Sequence, residues 1–108
     1  MVLDDKIDLT RVKHAAASAC SLLKALAHED RLLLLCQLTE GELCVGELEE
    51  RLGIHQPSLS QQLGVLRNEG LVSTRREGTR IYYQIKSQQA IAVMQTLYGQ
   101  FCAPKAKR

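Results

Sequence analysis

A chain of 108 residues that is 45% hydrophobic and carries a formal net charge of +2 has apolar material for one modest core, so a single globular domain is the expectation. There is no repeat, no low-complexity run, no apolar stretch long enough to cross a bilayer and no leader pattern, which excludes a disordered polyelectrolyte and points to a cytoplasmic chain with no membrane partner. The charge is unevenly spread: residues 67–108 hold eight Lys or Arg against two acids, and residues 1–66 hold six against ten. Phosphates, if the chain meets any, would be met by the basic half.

The first helix is expected from about Asp8 to Leu26, with Val12, Ala15, Ala19, Leu22, Leu23 and Leu26 on one face. A second follows from Glu29 to Leu38. In the third, Val45, Leu48 and Leu52 recur at i, i+3 and i+7, leaving Glu47, Glu49, Glu50 and Arg51 to solvent, and Gly53 supplies the positive φ that ends it. The fourth is expected to start at Pro57, whose ring pre-sets a helical φ, with either His55 or Gln56 as the cap. Its buried stripe is Leu59, Leu63 and Leu66. Ser58, Ser60, Gln61, Gln62 and Arg67 then project outward, with Gln56 beside them, as hydrogen-bonding groups that suit base edges and phosphates.

Two strands come next, Leu71 to Arg76 and Arg80 to Ile85, joined by a Glu77-Gly78-Thr79 tip. Arg75, Arg76 and Arg80 gather around that tip; alone, such a hairpin reads equally well as a sheet edge protected by charge. A last helix from about Ser87 to Phe101 carries Ile91, Met94, Leu97, Tyr98 and Phe101 on its apolar face. Pro104 cannot continue it, and the Lys105–Arg108 tail is expected to fray.

A mainly α chain with two short amphipathic helices around a glycine turn, followed by a basic β-hairpin wing, has the order of a winged helix-turn-helix, in which one helix enters the major groove of duplex DNA. The terminal helices suggest a homodimer. Leu22, Leu26, Met94, Leu97, Tyr98 and Phe101 form stripes that a small core cannot easily cover, and a two-fold pair would present two such helices to half-sites one DNA turn apart. The alternative is that both stripes pack only within their own chain. No Ser-His-Asp order, phosphate-binding glycine loop or paired-carboxylate motif supports an enzyme.

The runs LLKALAHEDRLLLLCQL (Leu22 to Leu38) and ELCVGELEERLGIHQPSLSQQLGVLRNEGLVSTRREGTRIYYQI (Glu42 to Ile85) resemble the ArsR/SmtB family of bacterial winged-helix repressors, most specifically in LxxLxxxGLVxxRREGxxxYY. The resemblance implies a dimer of four helices, two strands and a fifth helix per chain, holding an operator until an inducer weakens the complex. Metal sensors of that family often carry a Cys-Val-Cys pair; the matching segment here is Cys44-Val45-Gly46, with one thiolate missing. Ser87 to Phe101 contains no Asp, Glu or His, so a last-helix zinc site is not expected, and neither is a cofactor. His14, His28 and His55 lack ligand spacing and read as surface or capping residues.

Cysteines remain at 20, 36, 44 and 102. Their thiols stay reduced in a cytosolic chain. The placement of Cys36 and Cys102 resembles the dithiol of the family's BigR/SqrR-type branch and of HlyU-like regulators, which implies redox sensing with a persulfide, polysulfide or other oxidant as inducer. Read without the family, each cysteine is a small buried hydrophobe. Cys102 is expected to be the more accessible, at a helix end beside Lys105 and Lys107. Two rivals keep the fold and change the switch: thiolates gathered across a dimer could bind As(III) or Cu(I), and a HlyU-like anti-silencing protein would carry inert cysteines.

Overall fold

The computed structural model describes residues 8–102. In chain order it contains α1 (Leu9–Leu26), α2 (Glu29–Leu38), β1 (Leu43–Cys44), α3 (Val45–Leu52), α4 (Ser58–Asn68), β2 (Val72–Glu77), β3 (Arg80–Ile85) and α5 (Gln88–Phe101). The winged helix-turn-helix order holds, with one addition. Strand β1 pairs antiparallel with β3 through Leu43↔Tyr83 and Cys44↔Tyr82, making a sheet of order β1-β3-β2. Two residues offer no alternation to read, so this strand leaves no sequence signal. Pro104, Lys105, Lys107 and the rest of the expected frayed tail lie outside the described residues.

Local chemistry sets the helix ends. The Thr10 N–H donates to Asp8 Oδ1 at 2.9 Å, so Asp8 is the cap of α1 and not its first residue. The Asp30 N–H donates to His28 Nδ1 at 3.1 Å, which makes His28 a capping histidine. Helix α4 starts one residue later than expected, with Pro57 at the cap position. Proline has no side-chain acceptor to offer, and Gln56 takes that role by accepting the Ser60 N–H on its Oε1 at 3.1 Å.

The exit from α4 is a Schellman motif. The Gly70 N–H donates to Arg67 O at 3.0 Å and the Leu71 N–H to Leu66 O at 2.9 Å, with Gly70 at φ 76 where a side chain would be strained. Leu71 and Leu66 both lie in the core, the apolar contact that accompanies this ending. The hairpin ladder runs one pair further than expected, to Glu77↔Arg80, so its turn is Gly78-Thr79 and not a three-residue tip. Gly78, at φ 65, occupies the first central position, where a two-residue turn of type II′ requires glycine.

Helix α2 is the centre of the molecule and packs against α1, α3, α4, β3 and α5. Leu34, Leu35, Leu48, Leu59 and Leu66 are 0% exposed and Leu63 is 1% exposed. Each contributes about 1.5–3 kcal/mol of burial. Helix α1 adds only Ala25 and Leu26 to this core, and residues 9–20 are exposed throughout.

The proposed dimer set therefore needs correction. Leu26 and Met94 are buried inside the chain because their faces meet α2 and its neighbours, which leaves little of either for a partner. Leu22 and Leu97 are half-buried, whereas Tyr98 is 53% and Phe101 81% exposed.

Candidate nucleic-acid interface and dithiol groove

Helix α4 turns Leu59, Leu63 and Leu66 inward, and helical geometry then sends Gln61 to the opposite side. Ser60, Gln61 and Arg67 are exposed, as is Gln56 at the helix entrance; Ser58 is half-buried. Gln62 departs from its expected place. It flanks the buried stripe, is half-buried, and its Oε1 accepts a hydrogen bond from Arg31 Nη1 at 2.8 Å. The side chain that reads as a free amide in the sequence is already committed within the chain.

The arginines of the wing also separate. Residues paired across a ladder share a face, so Arg75, Tyr82, Glu77 and Arg80 lie on one side of the hairpin and Arg76 and Ile81 on the other. They are not a single cluster. Arg75 donates from Nε to both Glu42 carboxylate oxygens at 3.2 Å and from Nη1 to Glu77 Oε1 at 3.1 Å, and its guanidinium lies 4.7 Å from the Tyr82 ring centroid. Those hydrogen bonds hold Glu42 below the usual carboxylate range and raise the Arg75 pKa further. Arg75 thus tethers the wing to the loop after α2. Among the described residues neither Arg76 nor Arg80 is in an ion pair, and both are exposed. Glu42 and Arg31 carry no sequence signal beyond being charges beside apolar runs; their partners are 33 and 31 residues away.

Cys36 and Cys102 line the same groove between α2 and α5, about 330 Å³ in volume. Its walls are Leu32, Leu33, Met94, Leu97, Tyr98 and Phe101, with Glu29 as the one carboxylate among the lining residues. Cys36 is half-buried and also borders a second groove, of about 440 Å³, with Thr39, Glu40 and Gln95. Cys102 is exposed; the lysines expected beside it lie outside the described residues. The remaining cysteines are elsewhere, Cys20 exposed on α1 and Cys44 buried at the end of β1. Cys44 donates its backbone N–H to Glu47 Oε1 at 2.9 Å, which holds the Glu47 carboxyl below its usual range. His14 and His55 are on the surface, His55 within 3.1 Å of Glu49. Among the described residues no three His, Cys, Asp or Glu side chains gather as a ligand set, and no helix is long and apolar enough to cross a membrane.

Residues 28–74 match the family described as "Bacterial regulatory protein, arsR family". The chain is 49% identical to the biofilm growth-associated repressor of Agrobacterium fabrum over 100 residues, covering 93% of this chain and 86% of that protein. A structure of reduced HlyU from Vibrio cholerae superposes with a TM-score of 0.83 at 42% identity, covering 86% of this chain and 98% of that one. A homodimeric winged helix-turn-helix DNA-binding domain from Mycobacterium bovis superposes at 0.72 with 30% identity, over 91% and 89%. Fold, helix-turn-helix, wing and relatives agree: the chain belongs to the ArsR family of bacterial DNA-binding transcriptional regulators.

Proposed function

We propose that the chain is a single-domain, homodimeric repressor whose hold on operator DNA is switched by dithiol chemistry at Cys36 and Cys102, with a persulfide as inducer. The observation that carries this reading is the shared groove: two thiols from elements far apart in sequence face one small apolar space between α2 and α5. The named relatives support it in parts. One is called a repressor, one was solved as a reduced form, and one is a homodimer.

Exposure orders the chemistry. The Cys102 thiolate attacks the outer sulfur of a persulfide R–S–SH, forming Cys102–S–SH and releasing R–S⁻. The Cys36 thiolate then attacks the Cys102 sulfur, forming the disulfide and expelling HS⁻. Two thiols are oxidised, and the persulfide is reduced to a thiol and a sulfide. The same attack on a longer sulfur chain leaves a polysulfide bridge.

Either bridge ties α2 to α5. The exposed Tyr98 and Phe101 make α5 part of the proposed dimer face, so a shift there alters the separation of the two α4 helices. Half-site spacing in DNA is fixed, and a coupling of about 1–3 kcal/mol is ordinary for such a switch. Ser60, Gln61, Arg67, Arg76 and Arg80 make the DNA contacts, with Gln56 and Ser58 at the entrance of α4.

The test is a DNA-affinity titration of reduced protein against protein treated with persulfide, peroxide, oxidised glutathione or metal ions, with mass spectrometry of each product. Cys36→Ser and Cys102→Ser should bind DNA and fail to respond, and Cys20→Ser and Cys44→Ser should respond normally. If no Cys36–Cys102 bridge forms, or if both serine variants still release DNA, the dithiol switch is wrong. Release by As(III) or Cu(I) alone would favour a soft-metal sensor, and insensitivity to every treatment an anti-silencing protein with inert cysteines.

A further inference from the structure

Helix α1 leaves its last four carbonyls without partners inside the helix, and every one of them is satisfied. The Ala27 N–H donates to Leu23 O at 2.9 Å and the His28 N–H to Leu26 O at 2.7 Å. The two between are taken by one side chain from the next helix: Arg31 donates from Nε to Ala25 O at 2.6 Å and from Nη2 to Lys24 O at 3.2 Å. A guanidinium at a helix C-terminus also sits at the negative end of the helix dipole. Its third donor, Nη1, reaches α4 and holds Gln62 Oε1 at 2.8 Å. Arg31 is half-buried and fixed on both sides, and its planar fork makes the three contacts from three separate nitrogens, a spread that the single nitrogen of an ammonium lacks.

We infer that Arg31 is a positioning residue for DNA recognition, a clamp that seats α4 against the corner of α1 and α2 through Gln62. The inference rests on the reading of α4 as the helix that enters the groove. Gln62 then contributes no base contact of its own. Its amide oxygen must face the guanidinium, and what it supplies to recognition is the angle of the helix that carries Gln61. Because the clamp anchors on the end of α1, which leads into the proposed dimer face, it also passes the relative placement of the two protomers to α4.

The test uses the full chain and two duplexes, one selected from a random pool by the wild-type protein and one of scrambled sequence. Arg31→Ala should weaken the selected duplex about tenfold, the loss of hydrogen bonds to a charged group. The scrambled duplex should change less than about twofold, because phosphate contacts by other arginines carry it. A loss of folding alone would lower both together. Stoichiometric titration of the DNA-competent fraction removes that effect, and Gln62→Ala tests the same clamp from its half-buried partner on α4.

Two comparisons decide the matter. Gln62→Glu keeps an acceptor for Arg31 and should bind the selected duplex better than Gln62→Ala. The double variant Arg31→Ala with Gln62→Ala should be no worse than Arg31→Ala alone, since both remove the same contact. If Gln62→Glu binds worse than Gln62→Ala, its side chain faces DNA and the clamp is refuted; if the two single losses multiply, it is refuted as well. A Gln61→Ala variant with unchanged sequence preference would overturn groove entry by α4, and this role for Arg31 with it.

Discussion

The half of the molecule built from α2, α3, α4 and the hairpin is closed by its own side chains except at Leu33, whereas the end built from α1 and the last turns of α5 is left open. In the first, Leu34, Leu35, Leu48, Leu59 and Leu66 are 0% exposed, and Arg31 and Arg75 tie the helix and the wing to what lies beside them. In the second, Leu9, Leu23, Tyr98 and Phe101 remain exposed. In the proposed switch the geometry that faces DNA is rigid within a protomer, and the part that sets the distance between protomers is adjustable. The two thiols of the shared groove sit on the boundary, one on the central helix and one at the end of the incomplete one.

The sharpest way to break this comparison is to remove apolar bulk from each side. Leu63→Ala opens a cavity in a fully enclosed site and should cost about 2–5 kcal/mol in urea unfolding at any protein concentration. Phe101→Ala removes a larger side chain from a surface position. It should leave the unfolding of dilute protein within about 0.5 kcal/mol of wild type and abolish the rise of stability with concentration that a dimer shows. Equal losses in the two variants, or a wild type whose sedimentation stays monomeric at micromolar concentration, would mean that the second half is also closed by its own chain.

The same division explains how much the sequence discloses. Where a side chain's neighbours lie within a turn or a hairpin, the pattern is readable: the Leu59–Leu63–Leu66 stripe, the Gly53 stop, the last helix to within one residue (Ser87 is its cap and Gln88 its first residue), and the order of helix-turn-helix and wing. Where the partner is tens of residues away, it is not. Nothing near Gln62 announces Arg31, and nothing near Arg75 announces Glu42, so both read as free polar side chains until the fold brings their partners up. Burial has the same limit. Leu26 and Met94 belong to the same stripes as Leu22 and Tyr98, and periodicity cannot say which members of a stripe the chain itself will cover. The resemblance alone implies that Cys36 and Cys102 act together, and their common groove is a property of how α2 and α5 pack.

A smaller effect separates the kinds of polar contact. Gln61→Ala should relax sequence preference at one position by about 1–3 kcal/mol without changing the salt dependence of binding. Arg76→Ala and Arg80→Ala should weaken all sequences alike and reduce the salt slope by about one each. Arg75→Ala should leave the slope unchanged, because its fork is spent on Glu42 and Glu77, and should act only by loosening the wing. Fluorescence anisotropy over a salt series distinguishes the three behaviours. A slope change for Arg75→Ala equal to that for Arg80→Ala would return Arg75 to the phosphate contacts.

The least effect is expected from acid, and its sign follows from the wing tether. Hydrogen bonds from Arg75 hold the Glu42 carboxyl below its usual range, so the folded chain binds fewer protons there than the unfolded chain does. The tether therefore adds stability above the usual carboxylate range and loses it as the pH falls through the depressed value. Glu47, held down by the Cys44 backbone N–H, changes in the same direction. Because both groups are at the surface the change is small, and Glu42→Gln is needed to isolate it. Thermal unfolding of wild type and Glu42→Gln should differ near neutral pH, with the wild type the more stable, and the two curves should draw together below about pH 4 as the wild-type carboxyl takes up its proton. A constant difference across that range would mean that Glu42 holds the wing by shape and not by charge.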